Sequence, residues 1–447
     1  MRISALTISN FKAITNIELP ALGEVVVIAG PNGCGKSCIY DAIRLLKSAY
    51  GGYQQNEWQS WFGEFQISVN QSADQWSGLL QRKDRPMRIS ADFVLSASEI
   101  AYLRENARRV LLDQIWSEEV PELAGWRSIS ALPLAANLRA HEPNVMARLT
   151  REIAPFIESL DIVSHRAELT VELGAGVSVG QSPALEVVFR TYDPEHLGVI
   201  DYHSASRNYA REQVGGINLN IEATSDRLRQ HALYNSAGKY NNLKTEMASV
   251  YVRQLLARDA GVQTVPNDLI LTLQELFATF FPGKEFLGPR PTADGRMGFP
   301  VRTASGEIHD IDDLSSGEKE VLYGYLRLRN AAPKDSILLI DEPELHLNPR
   351  LVRGLASFYH RHIGRTLGNQ LWLVTHSDTL IREAVGQAGF CVFHMQAPGT
   401  FATGKQITPI EVTPSQPARS RAPTPSIPAT GFWPRTPSLP RSASPTK

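Results

Sequence analysis

The residues whose types and spacing suit chemistry begin with Gly30-Pro31-Asn32-Gly33-Cys34-Gly35-Lys36-Ser37, a G-x-x-x-x-G-K-[ST] run followed by Cys38. Glycines at this spacing let successive backbone N–H groups turn inward around phosphate oxygens. Lys36 supplies a cation for the β- and γ-phosphates of a nucleotide, and Ser37 a hydroxyl ligand for Mg2+. A second group is Asp341-Glu342, closing the apolar run Ile337-Leu338-Leu339-Ile340. Asp341 suits a metal ligand and Glu342 a general base that polarises an attacking water. A third, Leu314-Ser315-Ser316-Gly317-Glu318-Lys319, puts a hydroxyl and free backbone N–H groups at a helix start, where Ser315 and Gly317 suit a γ-phosphate. The same residues suit an ordinary serine cap with a glutamate in the first turn. The fourth, Thr375-His376-Ser377, closes Leu371-Trp372-Leu373-Val374 and sets a histidine within reach of a γ-phosphate and its water. Alone, such a histidine more often reads as a satisfied structural residue. Cys34 reads as a small space-filling residue rather than a reactive thiol.

These groups need elements to hold them. Val25-Val26-Val27-Ile28 reads as a buried strand entering the phosphate loop, and Lys36–Tyr50 as a helix leaving it, with Ile39, Ile43, Leu46 and Tyr50 on one face. Ser336–Ile340 and Leu371–Thr375 read as buried strands, Phe390–His394 as another, and Arg2–Ser9 and Arg88–Leu95 as alternating ones. Ser96-Ala97-Ser98-Glu99 fits a capping box opening a helix. Residues 167–193 suggest antiparallel strands with Gly-rich turns, 222–258 helices, and Ala304-Ser305-Gly306 a hairpin tip before a helix from Glu318. Buried strands alternating with helices predict an α/β core with largely parallel pairing.

The chain has 447 residues, 43% hydrophobic, with 45 Lys+Arg against 46 Asp+Glu, enough for a sizeable core and neither disordered nor histone-like in charge. No apolar run reaches the length of a membrane helix, and the start lacks a signal peptide's apolar block. With three cysteines and no C-x-x-C pair, a disulfide framework or zinc site is not expected, and a reduced, cytoplasmic location is. Pro414–Lys447 differs in kind: nine prolines, six serines, five basic residues and no acid predict a disordered tail. Two P-x-x-P runs (Pro425–Pro428 and Pro437–Pro440) and Trp433 are its only recognition-like features. Removing its five charges from the formal −1 leaves −6 on residues 1–413, so DNA binding is possible but draws no support from net charge.

The order of the four groups resembles the ABC-type ATPase heads, in particular the RecF/SMC-like branch and, within it, the OLD-type AAA ATPases. The opening Ile8-Ser9-Asn10-Phe11-Lys12 and the form LSSGE carry that resemblance further. The resemblance implies a P-loop NTPase fold of ABC-head type, and the 276 residues between Ser37 and Leu314, too many for a minimal head and too broken by Pro and Gly for a coiled-coil arm, point to a mixed α+β insertion. Its divisions would be a first head part (1–99), an inserted region (100–280), a second head part (281–413) and the tail (414–447). It implies ATP and Mg2+ as cofactors, Lys36, Glu342 and His376 in catalysis, and Lys12 near the nucleotide. Glu344-Leu345-His346-Leu347-Asn348-Pro349 would be a D-loop at a dimer seam, and Ser315 and Gly317 would meet the γ-phosphate held by the other protomer. Gln66 and Gln71 are candidates for the family's Q-loop glutamine. Arg207, in Ser204-Ala205-Ser206-Arg207-Asn208-Tyr209, resembles a basic motif of OLD-like middle regions or is an ordinary exposed arginine. Only 71 residues follow His376, with no acidic cluster of Toprim type, so any nuclease or effector is expected on a separate subunit. The expected function is a dimeric ATP-driven switch, a homodimer or higher oligomer without a membrane partner, in anti-phage defence or DNA maintenance. A nucleotide- or DNA-binding module with little turnover and a transporter ATPase subunit are the alternatives.

Overall fold

In a computed structural model the described residues are 1–410 apart from 55, 68–72, 121–138, 208, 210, 215, 218–220, 235–237, 262–268, 332–333 and 402–404. The tail, with Trp433 and both P-x-x-P runs, lies outside them, as does Gln71. Residues Met1–Glu411 form one compact unit.

The strands are β1 (Arg2–Phe11), β2 (Ile14–Leu19), β3 (Val25–Ala29), β4 (Met87–Val94), β5 (His165–Glu172), β6 (Gly176–Val179) and β7 (Ile200–His203). They continue as β8 (Lys284–Phe286), β9 (Arg290–Pro291), β10 (Met297–Gly298), β11 (Pro300–Thr303), β12 (Ile308–Asp310), β13 (Ile337–Asp341), β14 (Gln370–Thr375), β15 (Phe390–Met395) and β16 (Ile407–Pro409). The helices are α1 (Lys36–Tyr50), α2 (Glu57–Glu64), α3 (Ala97–Glu119), α4 (Glu142–Ser159), α5 (Pro183–Arg190), α6 (Ile221–His231) and α7 (Leu243–Asp259). After them come α8 (Leu269–Phe280), α9 (Ser316–Ala331), α10 (Pro349–Val352), α11 (Leu355–Tyr359) and α12 (Asp378–Ala384).

Two large sheets organise the unit. The first, in order β2-β1-β4-β5-β6, is antiparallel throughout. The second, in order β16-β15-β3-β14-β13-β7, is parallel except at β16. Its inner strands are the continuous apolar runs of the sequence, because both faces are covered. On β3, Val26 and Ile28 join the core shared with α1 and the first sheet, while Val25 and Val27 join the core built from α7, α8, α9 and α11. Burying each such side chain is worth about 1.5–3 kcal/mol. A one-residue slip would exchange the two faces, so register is fixed.

The capping box stands as expected. Glu99 N–H donates to Ser96 Oγ at 3.3 Å and Ser96 N–H to Glu99 Oε2 at 2.7 Å, opening α3. Residues 167–193 depart from expectation in their second half. β5 and β6 form the antiparallel pair, but Pro183–Arg190 is helix α5. Pro183 at the first helical turn presets the backbone, and Ala184, Leu185, Val187, Val188 and Phe189 are all buried. Burial overrides the strand preference of Val187-Val188-Phe189. Residues 100–280 supply β5 and β6 to the first sheet and β7 to the edge of the second. Among the described residues no helix is long and apolar enough to cross a membrane.

Candidate nucleotide site

β3 delivers the chain into the loop Gly30–Ser37, and α1 begins at Lys36. Gly30 permits a close approach: a Cβ there would lie 2.3 Å from the Met395 carbonyl oxygen on β15. Lys36 is 6% exposed, and its Nζ donates to Gly30 O at 2.9 Å and Pro31 O at 3.0 Å, so the ammonium is folded onto its own loop. The Cys34 side chain is wholly buried, and burial pushes its thiol above the ordinary value, as it does for Cys38. A buried, protonated Cys34 is a filler rather than a nucleophile.

β13 and β14 lie side by side, with Asp341 opposite Val374, which brings together chemistry some thirty-five residues apart in sequence. Ser37 Oγ donates to Asp341 Oδ1 at 3.2 Å. Asp341 is buried, and burial raises its carboxyl to about 6. The Ser37 hydrogen bond opposes that rise and the negative charge of Glu342 adds to it. Glu342 follows with φ 48°, a left-handed turn that takes its side chain off the strand line. His376, just beyond β14, is half-exposed, with Nδ1 3.5 Å from Glu342 Oε1 and 3.6 Å from Glu344 Oε1. Glu344 is buried and accepts from Thr375 Oγ1 at 2.5 Å and from His376 N–H at 3.0 Å through one oxygen. Its other oxygen, Oε2, is buried without a hydrogen-bond partner.

Ser315 makes its bonds outside this cluster. It is exposed at the entry to α9, and its amide (2.9 Å) and hydroxyl (2.8 Å) both donate to Glu318 Oε2. Lys284 on β8 donates to both oxygens of Glu318, at 2.8 and 2.9 Å. Burial works against the Glu318 charge, but the bonds from Lys284 and Ser315 hold its carboxyl below the usual range. Gly317 packs on the 344–349 segment, where an added Cβ would lie 3.1 Å from His346 O. Among the described residues, no hydrogen bond of Ser315 reaches the phosphate loop.

Lys12 is committed nearby: its Nζ donates to Asp41 Oδ2 on α1 at 2.9 Å and lies 3.1 Å from the centre of the Phe65 ring. Gln66 is exposed in the turn after α2. Arg207 is not an exposed arginine. Its side chain is 3% exposed, ion-paired to Glu320 on α9, and donates to the carbonyls of Asp341 and Glu342. Lys284 and the β7 strand went unrecognised in the sequence; Val199-Ile200-Asp201-Tyr202-His203 was the available signal, a β-forming run broken up by two ionisable residues.

A loop-borne lysine and serine, with a buried carboxylate against that serine, is the arrangement of a nucleotide triphosphatase. Residues 1–254, more than half of the 447, match the family described as AAA ATPase domain. The chain belongs to that family. This AAA ATPase also matches, over residues 200–382, the family described as AAA domain, putative AbiEii toxin, Type IV TA system. Of curated relatives, the uncharacterized protein MJECL10 of Methanocaldococcus jannaschii is 34% identical over 73 residues, 14% of this chain and 33% of that protein. The chromosome partition protein Smc of Delftia acidovorans is 49% identical over 49 residues, 10% of this chain and 4% of that protein. The matches thus span a third or less of each relative's own length. Among solved structures, the SmcHead bound to the C-winged helix domain of ScpA aligns at 13% identity and TM-score 0.44, covering 92% of this chain and 98% of that one. The SMC head domain from Thermotoga maritima aligns at 14% identity and TM-score 0.39, covering 92% and 100%.

Proposed function

We propose that this ATPase works as a dimeric switch, in which each nucleotide site is completed by Ser315 and Gly317 of a second copy. The single observation that carries the reading is the separation of two half-sites: Lys36, Ser37, Asp341, Glu342 and His376 gather around the phosphate loop, while Ser315 stands exposed and bonded only within its own helix start. Two copies facing each other would bring the α9 entry of one to the loop of the other in a self-complementary interface.

The donor set fits MgATP. The Ser37 hydroxyl and the Asp341 carboxylate, in contact and with Asp341 raised by burial, suit a hard divalent cation, which would offset that penalty. When bound, Mg2+ supplies charge neutralisation on the phosphates. The chain's own residues do the rest. Gly30, Asn32, Gly33, Cys34, Gly35 and Cys38 offer backbone N–H groups, Pro31, which has none, stiffens the loop between them, and Lys36 exchanges its two loop carbonyls for phosphate oxygens. Glu342 takes a proton from the attacking water at its carboxylate. His376 turns Nδ1 toward Glu342 and Glu344, which leaves Nε2 for the γ-phosphate.

Charge-assisted contacts to γ-phosphate that exist only in the closed pair would drive closure, and hydrolysis would release it. The Smc relative's role in chromosome partition supports DNA maintenance, and the AbiEii toxin description supports a defence role. A separate effector subunit would carry the output. The test is size-exclusion chromatography with ATP and Mg2+. Glu342→Gln should bind ATP and elute as a closed dimer, whereas Lys36→Ala should bind none and elute as without nucleotide. A Glu342→Gln protein that binds ATP with no change in a monomeric elution position contradicts the dimeric switch.

A further inference from the structure

The sharp turn at Glu342, closed by Leu345 N–H on Glu342 O at 3.0 Å, is also held by a side chain that comes from outside all four sequence motifs. β7 runs parallel to β13, with His203 opposite Ile340, and ends there. Successive residues of a strand turn their main-chain groups to opposite sides. Glu342 N–H donates to Val374 O on the β14 side at 2.9 Å, so the Asp341 carbonyl faces the side that β7 has just left. Arg207, four residues past the end of β7, supplies the missing rung. Its Nη2 donates to Asp341 O at 2.5 Å, and Nη1 and Nη2 each lie 3.4 Å from Glu342 O. The remaining bond of Nη1 is the buried ion pair with Glu320.

We propose that Arg207 is a positioning residue for ATP hydrolysis: it clamps the end of β13 so that Glu342 keeps its aim, and ties that end to α9. The proposal rests on Glu342 acting as the base. A φ of 48° at a residue with a side chain is sparsely populated and persists only where the surroundings over-determine it. A planar guanidinium can bind two adjacent carbonyls and a carboxylate together, and a lysine's single ammonium cannot hold that fork. Glu320 lies three residues beyond Gly317, on the helix that Ser315 opens. Beside the packing of Gly317 on the 344–349 segment, this side chain gives α9 a direct hydrogen-bonded link to the Glu342 main chain.

The experiment compares saturating ATPase rate, nucleotide affinity and melting temperature for wild type, Arg207→Lys, Arg207→Met/Glu320→Gln and Glu342→Gln. The double variant removes both charges, so no buried carboxylate is left alone and the fold is spared that cost. Turnover should fall by about tenfold or more in Arg207→Lys and in the double variant, the scale of a misplaced catalytic group. ATP affinity should stay within about threefold of wild type, as expected when only the chemical step is affected. The double variant should also melt near wild type. Wild-type turnover in either Arg207 variant, or a loss explained wholly by weaker ATP binding, overturns the assignment. Glu342→Gln separates the two claims. If it is inactive while Arg207→Lys runs at full rate, Arg207 does not position the base; if Glu342→Gln itself runs at full rate, Glu342 is not the base and both claims fall.

Discussion

At the entry to α9 a carboxylate occupies the donors that a phosphate would need. Glu318 takes both the amide and the hydroxyl of Ser315, and Lys284 is its counter-ion. A second negative charge facing a γ-phosphate would repel it, so Lys284 keeps this helix start compatible with an anion. Replacing Lys284 with alanine should lower ATPase turnover by roughly tenfold, the scale of one lost charge-assisted contact. Adding Glu318→Gln should restore it, because an amide keeps the bond from Ser315 and needs no counter-ion. Steady-state rates of the single and double variants check this, and a double variant as impaired as Lys284→Ala contradicts it. The phosphate loop and the Asp341-Glu342 pair were legible in the sequence because their chemistry is local, carried by glycine spacing and an apolar run. Lys284 and Arg207 were not. Their partners lie 34 residues away for Lys284 and Glu318, and 113 for Arg207 and Glu320, and no local pattern records such a pairing.

β7 shows what an element can hide. Three of its four residues are polar or ionisable, yet all four are buried. The cost of burying Asp201 is met by Lys239, whose ammonium lies 2.6 Å from Asp201 Oδ1, while His203 Nε2 approaches Oδ2 to 2.5 Å without the geometry of a hydrogen bond. Tyr240 OH lies 2.8 Å from His203 Nδ1, a bond that a neutral imidazole with its proton on Nε2 can accept. Burial first, then the charges of Lys239 and Arg207, lower the His203 pKa to about 4 against the pull of Asp201. As the pH falls below the ordinary histidine value of about 6.5, the unfolded chain takes up a proton that the native state refuses. Stability should therefore drop across that window down to about 4. Melting temperature against pH checks it: His203→Gln should melt lower at neutral pH but with a flatter acid limb than wild type. An unchanged slope would mean that His203 titrates normally in the fold. α5 makes the converse point, since Val187-Val188-Phe189 reads as strand, and only packing against the neighbouring core turns it into helix.

Over the whole molecule, three neighbouring strands of one parallel sheet, β3, β14 and β13, carry the phosphate loop, the histidine and the two carboxylates to one edge. The alternation of buried strands with helices made that core readable as α/β. The second, antiparallel sheet was read only as separate strands, because its pairings join residues 2–11 with 87–94 and those with 165–172. Among the described residues no hydrogen bond joins Ser315 to Lys36, and in the proposed switch a second copy brings them together. Mixing Lys36→Ala protein with Ser315→Arg protein tests this most directly. Each alone should be inactive, the first for want of a nucleotide and the second because a bulky cation blocks the partner's site. In a mixed pair the intact loop of one copy meets the intact serine of the other. With random pairing, turnover should recover to about a quarter of the wild-type rate. A Ser315→Arg protein at full rate by itself, or a mixture in which pairs form and no activity returns, would contradict it.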